Sequence, residues 1–477
     1  MIFDDIFHAL PEVFLLGMIC LVVLADVFIP HKRRIVYSLT QLSLMGTAFL
    51  VSRSFSLDTF IFFDGHMIVD PLASLLKLFT LLILFVVLLY SRDFMESKGL
   101  AKGEYYILTL CATLGMLFMI SGNTLLLLYL GLELLSLPLY AMVAFLRNED
   151  TVVEAGMKYF ILGAFASGLF LYGASLVFGV SGSIELSQIA ASLETGHAGN
   201  PLLWVGVVFM LAAFLFKLGG VPFHMWLPDI YAGAPLSVTL LIASAPKIAA
   251  FAFMYRILVT SLPSLIGIWW PVLTCVAFLS LLVGNIAAVS QTNIKRLLAY
   301  STIAQVAYVF LGLMTGTLEG FSAAWMYLLT YTLMTTAVFG VLLSLSCDGR
   351  EITQLDDLKG LSRHRPGMAF LMLIVMLSLA GIPPTVGFFA KFVVLKAMIE
   401  VDMTAYAIVA ILFSVISAFY YLRIVKVMYF DEPDRVNLPV TQSVAVQWIL
   451  SLNVLMIFAL GIYPTDFIAL SYALVVL

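Results

Sequence analysis

Fourteen stretches of mostly apolar residues follow one another along this chain, at 11–29, 35–52, 68–90, 105–121, 123–146, 155–179, 201–229, 235–259, 269–290, 294–314, 321–346, 367–399, 405–429 and 445–470. A helix needs roughly 20 such residues to cross a bilayer. Lipid offers no partner for backbone N–H and C=O groups, so segments of this length must satisfy them internally, as α-helices do. The sequence therefore predicts an all-α, polytopic membrane protein with about 14 transmembrane helices. Composition agrees: 62% of the 477 residues are apolar and 11% charged, against about 25% charged in a soluble domain. The longest linkers, near 180–200 and 347–366, are too short to fold as separate domains. With 24 basic and 28 acidic residues there is no basic excess to grip nucleic acid, and none is expected as a partner.

The first ten residues, MIFDDIFHAL, carry two aspartates and no Lys or Arg. A cleaved signal peptide needs a positive start, so the first span is read as its own insertion signal. Cys20, Cys111, Cys275 and Cys347 are scattered without CxxC spacing and read as small buried hydrophobes. No metal, haem or iron–sulfur spacing, phosphate loop, nucleophile elbow or catalytic carboxylate pair is evident. The chain is expected to perform no covalent or redox chemistry by itself.

Orientation follows from Lys and Arg, which favour loops on the inner side. With the N-terminus outside, the inner loops hold Lys32, Arg33, Arg34, Arg92, Lys98, Lys102, Arg147, Lys295, Arg296, Arg350, Lys359, Arg363, Arg365, Arg423, Lys426 and Arg435. The outer loops hold only Arg53, so both termini are expected outside.

The other seven basic residues fall within apolar spans. Arg256 and Lys396 lie near the outer ends of theirs and are expected to snorkel to the interface. Lys77 stands two turns after Asp70, where a local structural role competes with a functional one. Lys158, Lys217, Lys247 and Lys391 lie further inside or beside helix breaks. Each costs about 2.5–3.5 kcal/mol at a helix centre on insertion scales, a burden a plain membrane scaffold has no reason to carry. These four lysines point to a proton or ion path. Glu133, in GLELLSLPLYA of the fifth span, is the matching acid, because a buried carboxylate needs a cation or a proton. An ion pair that merely fixes helix register is the plainer reading of Glu133. His224, in PFHMWLPD, is a possible proton relay or a hydrogen-bonded structural residue.

The seventh span contains Leu218-Gly219-Gly220-Val221-Pro222 and the twelfth Leu379-Ala380-Gly381-Ile382-Pro383, a shared pattern 161 residues apart. Gly and Pro inside a span free backbone groups that only protein or a wet cavity can receive. Both spans are therefore expected to be broken. They lie five spans apart and so cross in opposite directions, which implies two inverted five-helix repeats, a transporter signature. The expected divisions are 1–104, a three-helix segment; 105–259, the first repeat; 269–429, the second, inverted repeat; and 430–477, a C-terminal helix. The eleventh span departs from the symmetry. It has no ionisable acid or base between Phe321 and Ser346, and offers Tyr327, Thr330, Tyr331, Thr332, Thr335 and Thr336, hydroxyls able to hold a water chain.

GLELLSLPLYA (131–141), EAGMKYFILGAFASGLFLYG (154–173), FKLGGVPFHMWLPDIYAGAP (216–235), SAPKIAAF (244–251), NIKRLLAYSTIAQVAYVFLG (293–312) and LAGIPPTVGFFAKF (379–392) resemble the antiporter-like subunits of respiratory complex I, the proton-translocating NADH:quinone oxidoreductase of bacteria. The resemblance runs from about the fourth span to the thirteenth. It implies that Glu133 pairs with Lys217, that Lys158 and Lys247 neighbour them along a hydrated axis at mid-membrane, and that Lys391 stands near the outward exit. It implies a non-redox subunit of the bacterial inner membrane. FMN, iron–sulfur clusters and quinone would belong to partner subunits, with no cofactor of its own and no substrate but protons. The partners implied are the other membrane subunits and the lipid bilayer.

Three other readings share these residues. A subunit of a multi-subunit sodium/proton antiporter would have the same core. A passive scaffold would use the lysines as structural ion pairs. A free-standing transporter of a small organic solute would need substrate chemistry that a set dominated by lysines scarcely offers.

Overall fold

The computed structural model describes residues 6–29, 33–194, 196–346, 351–432 and 443–476. Cys347, Arg350, Lys32 and Arg435 of the sequence reading lie outside the described residues. Among the described residues thirteen helices are long and apolar enough to cross a membrane. The twelfth span supplies the fourteenth crossing: it is split into Pro366–Ala380 and Val386–Glu400, each 15 residues and too short alone.

Local chemistry sets the helix starts. Asp70, Thr124, Asn293 and Thr317 cap the third, fifth, tenth and eleventh spans, each accepting from the backbone N–H three residues on. Pro71, Pro201 and Pro366 occupy first helical positions, where a missing N–H costs nothing. A small antiparallel hairpin, Phe60 opposite Val69 and Phe62 opposite Met67, lies between the second and third spans. The linker near 180–200 carries a short helix, Leu186–Glu194.

The eighth span (Leu236–Ser261) and the eleventh (Leu318–Leu345) are wholly buried through their most apolar stretches, and form the centre of the bundle. The sixth, thirteenth and fourteenth keep large apolar side chains exposed, among them Phe165, Leu412 and Trp448. The hydroxyl-bearing residues singled out in the eleventh span are all buried.

Two local structures recur in the two five-span sets. Leu125 N–H donates to Ile184 O (2.9 Å) and Leu186 N–H to Asn123 O (3.1 Å), tying the start of the fifth span to the loop after the sixth. Ile294 N–H donates to Thr353 O (2.9 Å) and Leu355 N–H to Thr292 O (2.9 Å), tying the start of the tenth to the segment after the eleventh. The second shared structure is the helix break. Gly219 and Gly381 are left-handed (φ 88° and 84°) and end their helices. In each case one carbonyl, Leu215 O or Leu377 O, accepts from the glycine and from the residue after it. The structural match is thus Gly219 with Gly381, one residue out of step with the alignment of Gly220 and Gly381 that the letters suggest. The reason is that the αL position, not the Pro, defines the end of the helix.

The eighth span is interrupted as well, at Ser244 (φ −110°, ψ −108°), between Leu236–Ala243 and Ala245–Tyr255. Pro246 cannot donate to a carbonyl of the preceding turn, so the helix restarts there.

Candidate proton-path residues

The broken seventh span leaves carbonyls that need partners. Trp226 Nε1 donates across the break to Phe216 O at 2.8 Å, and Val221 N–H to Ser280 Oγ of the ninth span at 2.9 Å. Leu218 O, the last carbonyl before Gly219, accepts from Lys247 Nζ at 3.3 Å. Lys247 is 2% exposed, and the kink at Ser244 brings it to this point.

Lys217, partly buried at the end of the same helix, donates to Ser136 Oγ at 2.6 Å and lies 5.9 Å from the ring centres of both Tyr140 and Tyr159. Glu133 stands one turn before Ser136, and its Oε1 is buried without a hydrogen-bond partner. The expected Glu133–Lys217 contact is therefore not made directly; Ser136 holds the ammonium instead. Residues three apart share a helix face, so the four-carbon stem of Lys217 has both groups within its sweep.

Lys158 has a different setting from the buried one expected. It is half-exposed and paired with Glu154 Oε1 (2.8 Å) and Asp229 Oδ2 (2.9 Å). Asp229 Oδ1 also meets Arg296 at 3.3 Å. These groups line a polar cavity of about 500 Å³ with Thr151, Gln291 and Asn293. Lys158 follows the first residue of its helix, Asp150, by two turns, roughly 12 Å, which places it at the floor of a mouth rather than at mid-span. His224 lies in the irregular segment after Gly219, with Nδ1 buried and unpartnered.

In the twelfth span Lys391 turns back over the break. Its Nζ donates to Ala380 O (3.0 Å), Leu379 O (3.3 Å) and Ser414 Oγ (2.9 Å), and lies 5.3 Å from the Tyr308 ring centre. Beside it Gln305 Nε2 donates to Leu379 O (3.0 Å) and to the Tyr421 hydroxyl (2.8 Å). Tyr327 donates to Gln305 Oε1, Tyr421 meets Ser301, and Thr302 meets Tyr331 at 2.6 Å. Gln305, Tyr327, Tyr421 and Ser301 thus join the tenth, eleventh and thirteenth spans next to Lys391, with the Thr302–Tyr331 pair as a separate link between the tenth and eleventh. Gln305, Ser414, Tyr421, Ser136 and Asp229 were not singled out by sequence reading; a glutamine within an apolar helix, as in AQVAY, and the acid closing the 201–229 run were the signals that were available.

The remaining intramembrane charges are tied down locally. Lys77 pairs with Glu12 at 2.5 Å, both buried. Arg256 does not snorkel: it is 4% exposed and bonds Asp70 (3.0 Å) and Ile120 O (2.7 Å). Its guanidinium stays inside the protein because Asp70 and a carbonyl at the end of the fourth span both lie within its reach. Burial pushes the Asp70 carboxyl up, but Arg256, the Ala73 N–H and Lys77 together hold it below the ordinary carboxylate value. Lys396 is 60% exposed and reaches Glu400 at 3.5 Å, at the end of its helix. Among the described residues Cys20, Cys111 and Cys275 are unpaired, and no cluster of three or more His, Cys, Asp or Glu could hold a metal ion.

Residues 122–418 match the family described as NADH:quinone oxidoreductase/Mrp antiporter, transmembrane. The chain is 49% identical over 462 residues to NADH-quinone oxidoreductase subunit N of Thiobacillus denitrificans, covering 97% of this chain and 95% of that one. It is 48% identical over 462 residues to the protein of the same name from Thioalkalivibrio sulfidiphilus, covering 96% of each. Among solved structures, a chain of respiratory complex I from Thermus thermophilus superposes with a TM-score of 0.81 at 32% identity, covering 96% of this chain and 98% of that chain. A chain of the Mrp complex from Dietzia shares the fold, with a TM-score of 0.81 at 21% identity over 100% of this chain and 97% of that one.

Proposed function

Because the chain belongs to the NADH:quinone oxidoreductase/Mrp antiporter transmembrane family, we propose that its buried lysines carry the protons that a complex I membrane subunit moves. The similarity to subunit N proteins over nearly the whole length supports this assignment to complex I. In this reading the chain is a proton-translocating membrane subunit of the NADH:quinone oxidoreductase complex, and other complex I subunits are its partners. It contributes no redox centre; FMN, iron–sulfur clusters and quinone belong to those partners. It resides in the bacterial inner membrane with both termini on the outer, periplasmic side.

The observations that support the mechanism are the hydrogen bond of Lys217 Nζ to Ser136 Oγ and the unpartnered, buried Glu133 Oε1 one turn before that serine. With Glu133 close, the ammonium is held; with Ser136 as its partner, the proton is free to move on through water to Lys247 and then Lys391. Lys158 serves as the first stop from the polar mouth, and His224 is a further stop beside the break. Each pKa unit is worth about 1.4 kcal/mol, so modest charge movement alters occupancy tenfold. The trigger is redox chemistry in the partner subunits.

Inside-out membrane vesicles carrying the assembled complex test this. Lys217→Ala and Glu133→Ala should each sharply lower NADH-driven proton uptake while the subunit remains inserted. Full pumping at normal assembly would reject the path. The second reading, a sodium/proton antiporter subunit, rests on the fold shared with the Mrp chain. Sodium-dependent transport without NADH oxidation would favour it, and co-purification with flavin- and iron–sulfur-bearing partners would exclude it.

A further inference from the structure

We propose that Arg296 is a positioning residue for proton uptake, sharing Asp229 with Lys158 so that the second five-span set governs the first lysine of the path. The inference rests on the reading above, in which Lys158 receives protons from the polar mouth.

The short helix Trp226–Gly233, the second half of the broken seventh span, is held at both ends by consecutive residues of the tenth span's first turn. At its C-terminal end Lys295 Nζ donates to Ala234 O (2.8 Å) and pairs with Glu351 Oε2 (3.0 Å). Glu351 Oε1 in turn accepts from Leu236 N–H (3.4 Å), the first residue of the eighth span. A cation thus meets the C-terminal carbonyl of one helix and an anion the N-terminal amide of the next, the favourable sense at both ends. The Lys295 side chain is 2% exposed, so this end is fixed.

The other end is open to exchange. Asp229, in the first turn of the same helix, gives Oδ2 to Lys158 and Oδ1 to Arg296. The Arg296 side chain is 49% exposed and its contact is the longer, 3.3 Å against 2.9 Å. The charged groups lining this cavity are Glu154, Lys158, Asp229 and Arg296, two of each sign. Lys158 and Arg296 therefore draw on the same carboxylate from opposite five-span sets. When Arg296 holds Asp229, Lys158 faces one competing cation, one shared anion and Glu154. When Arg296 withdraws, Asp229 and Glu154 both serve Lys158, and its proton stays.

The test is the pH profile of NADH-driven proton uptake per NADH oxidised, in inside-out vesicles with the complete complex. Arg296→Gln leaves two carboxylates and one cation, so its profile should move to higher pH and uptake at neutral pH should fall roughly two- to fivefold, the scale of a half-exposed ion pair. Asp229→Asn leaves one carboxylate and two cations, so its profile should move to lower pH. Arg296→Lys keeps the charge and should keep the profile. Opposite displacements with rescue by Lys support the proposal. Unmoved profiles, displacement in one direction by both variants, a displaced Arg296→Lys, or loss of assembly in both Arg296→Gln and Asp229→Asn would each overturn it. Lys217→Ala, measured alongside, separates the two ideas: if it abolishes uptake while Arg296→Gln changes nothing, only the role of Arg296 falls.

Discussion

Lys247 and Lys391 come from different helices of their respective halves, yet each donates to the same carbonyl position, the last before a left-handed glycine: Leu218 O at 3.3 Å and Ala380 O at 3.0 Å. A break in a membrane helix exposes carbonyls that lipid cannot bond. Placing an amine on each one satisfies the backbone and stations a titratable group beside each break with one arrangement. Neither lysine is ion-paired among the described residues, so dipoles alone hold these charges, whereas Lys217 has a carboxylate a turn away from its partner.

Gly381→Ala should disturb the second of these sites. Its φ of 84° is unfavourable for a residue with a side chain, and the added Cβ would lie 2.9 Å from Lys391 Cδ. A loss of about 1–2 kcal/mol of local stability is expected from the backbone alone. Proton uptake per NADH should fall as Lys391 is pushed from Ala380 O, measured in vesicles at matched assembly. Unaltered uptake would show that Lys391 need not hold this position.

Ser136→Ala removes the side-chain oxygen that Lys217 now bonds. A charge-assisted hydrogen bond contributes about 1.5–3 kcal/mol, so the ammonium should move to Glu133 and be retained there. Proton uptake is expected to slow roughly tenfold or more, and Ser136→Thr should restore it. Equal rates in Ser136→Ala and the parent would remove Ser136 from the mechanism.

Lys77 and Glu12 form a structural pair that joins the first and third spans. Lys77→Ala leaves a buried carboxylate without its cation and should cost about 3–5 kcal/mol, seen as a lower thermal midpoint of the purified complex. Replacing both, Glu12→Leu with Lys77→Met, should recover most of that stability and leave proton uptake near normal. Pumping lost in the stable double variant would move the pair into the proton path.

Asp70 gives a pH dependence of stability. Its folded value lies below the ordinary one because Arg256 and the Ala73 N–H outweigh burial. A depressed carboxyl contributes stability that is present above its unfolded pKa, about 3.9, and is lost as pH falls through the folded value. Acid unfolding followed below about pH 4 should therefore begin at higher pH in Arg256→Gln than in the parent. Coincident acid transitions would deny the Asp70–Arg256 pair a part in stability.

The spans, their number and the two Gly–Pro breaks were legible because apolar run length and helix-breaking residues are local properties. Lys217, Lys247 and Lys391 were legible for the cost of an amine among apolar neighbours. What each amine touches was not. Ser136 and Ser414 look like ordinary helix residues, and only the reach of the Lys217 side chain to the fifth span, and the packing of the thirteenth span on the twelfth, bring them to the lysines. Arg256 was misread because its partner Asp70 is 186 residues away, and no periodicity links them. Lys158 was placed too deep, since a mouth lined by Asp229 and Arg296 forms only when the sixth, seventh and tenth spans meet. The kink at Ser244 had a signal, the proline of SAPK, which reads as a helix start within a span.

The most direct measurement of the central claim is the number of protons taken up per NADH oxidised by complexes carrying Lys247→Arg or Lys391→Arg. Arginine can still donate to Leu218 O or Ala380 O but does not give up its proton in a protein. The account predicts assembled complexes with a reduced proton yield per NADH. A parental yield in both variants would mean that these cations only cap the broken helices, and would contradict it.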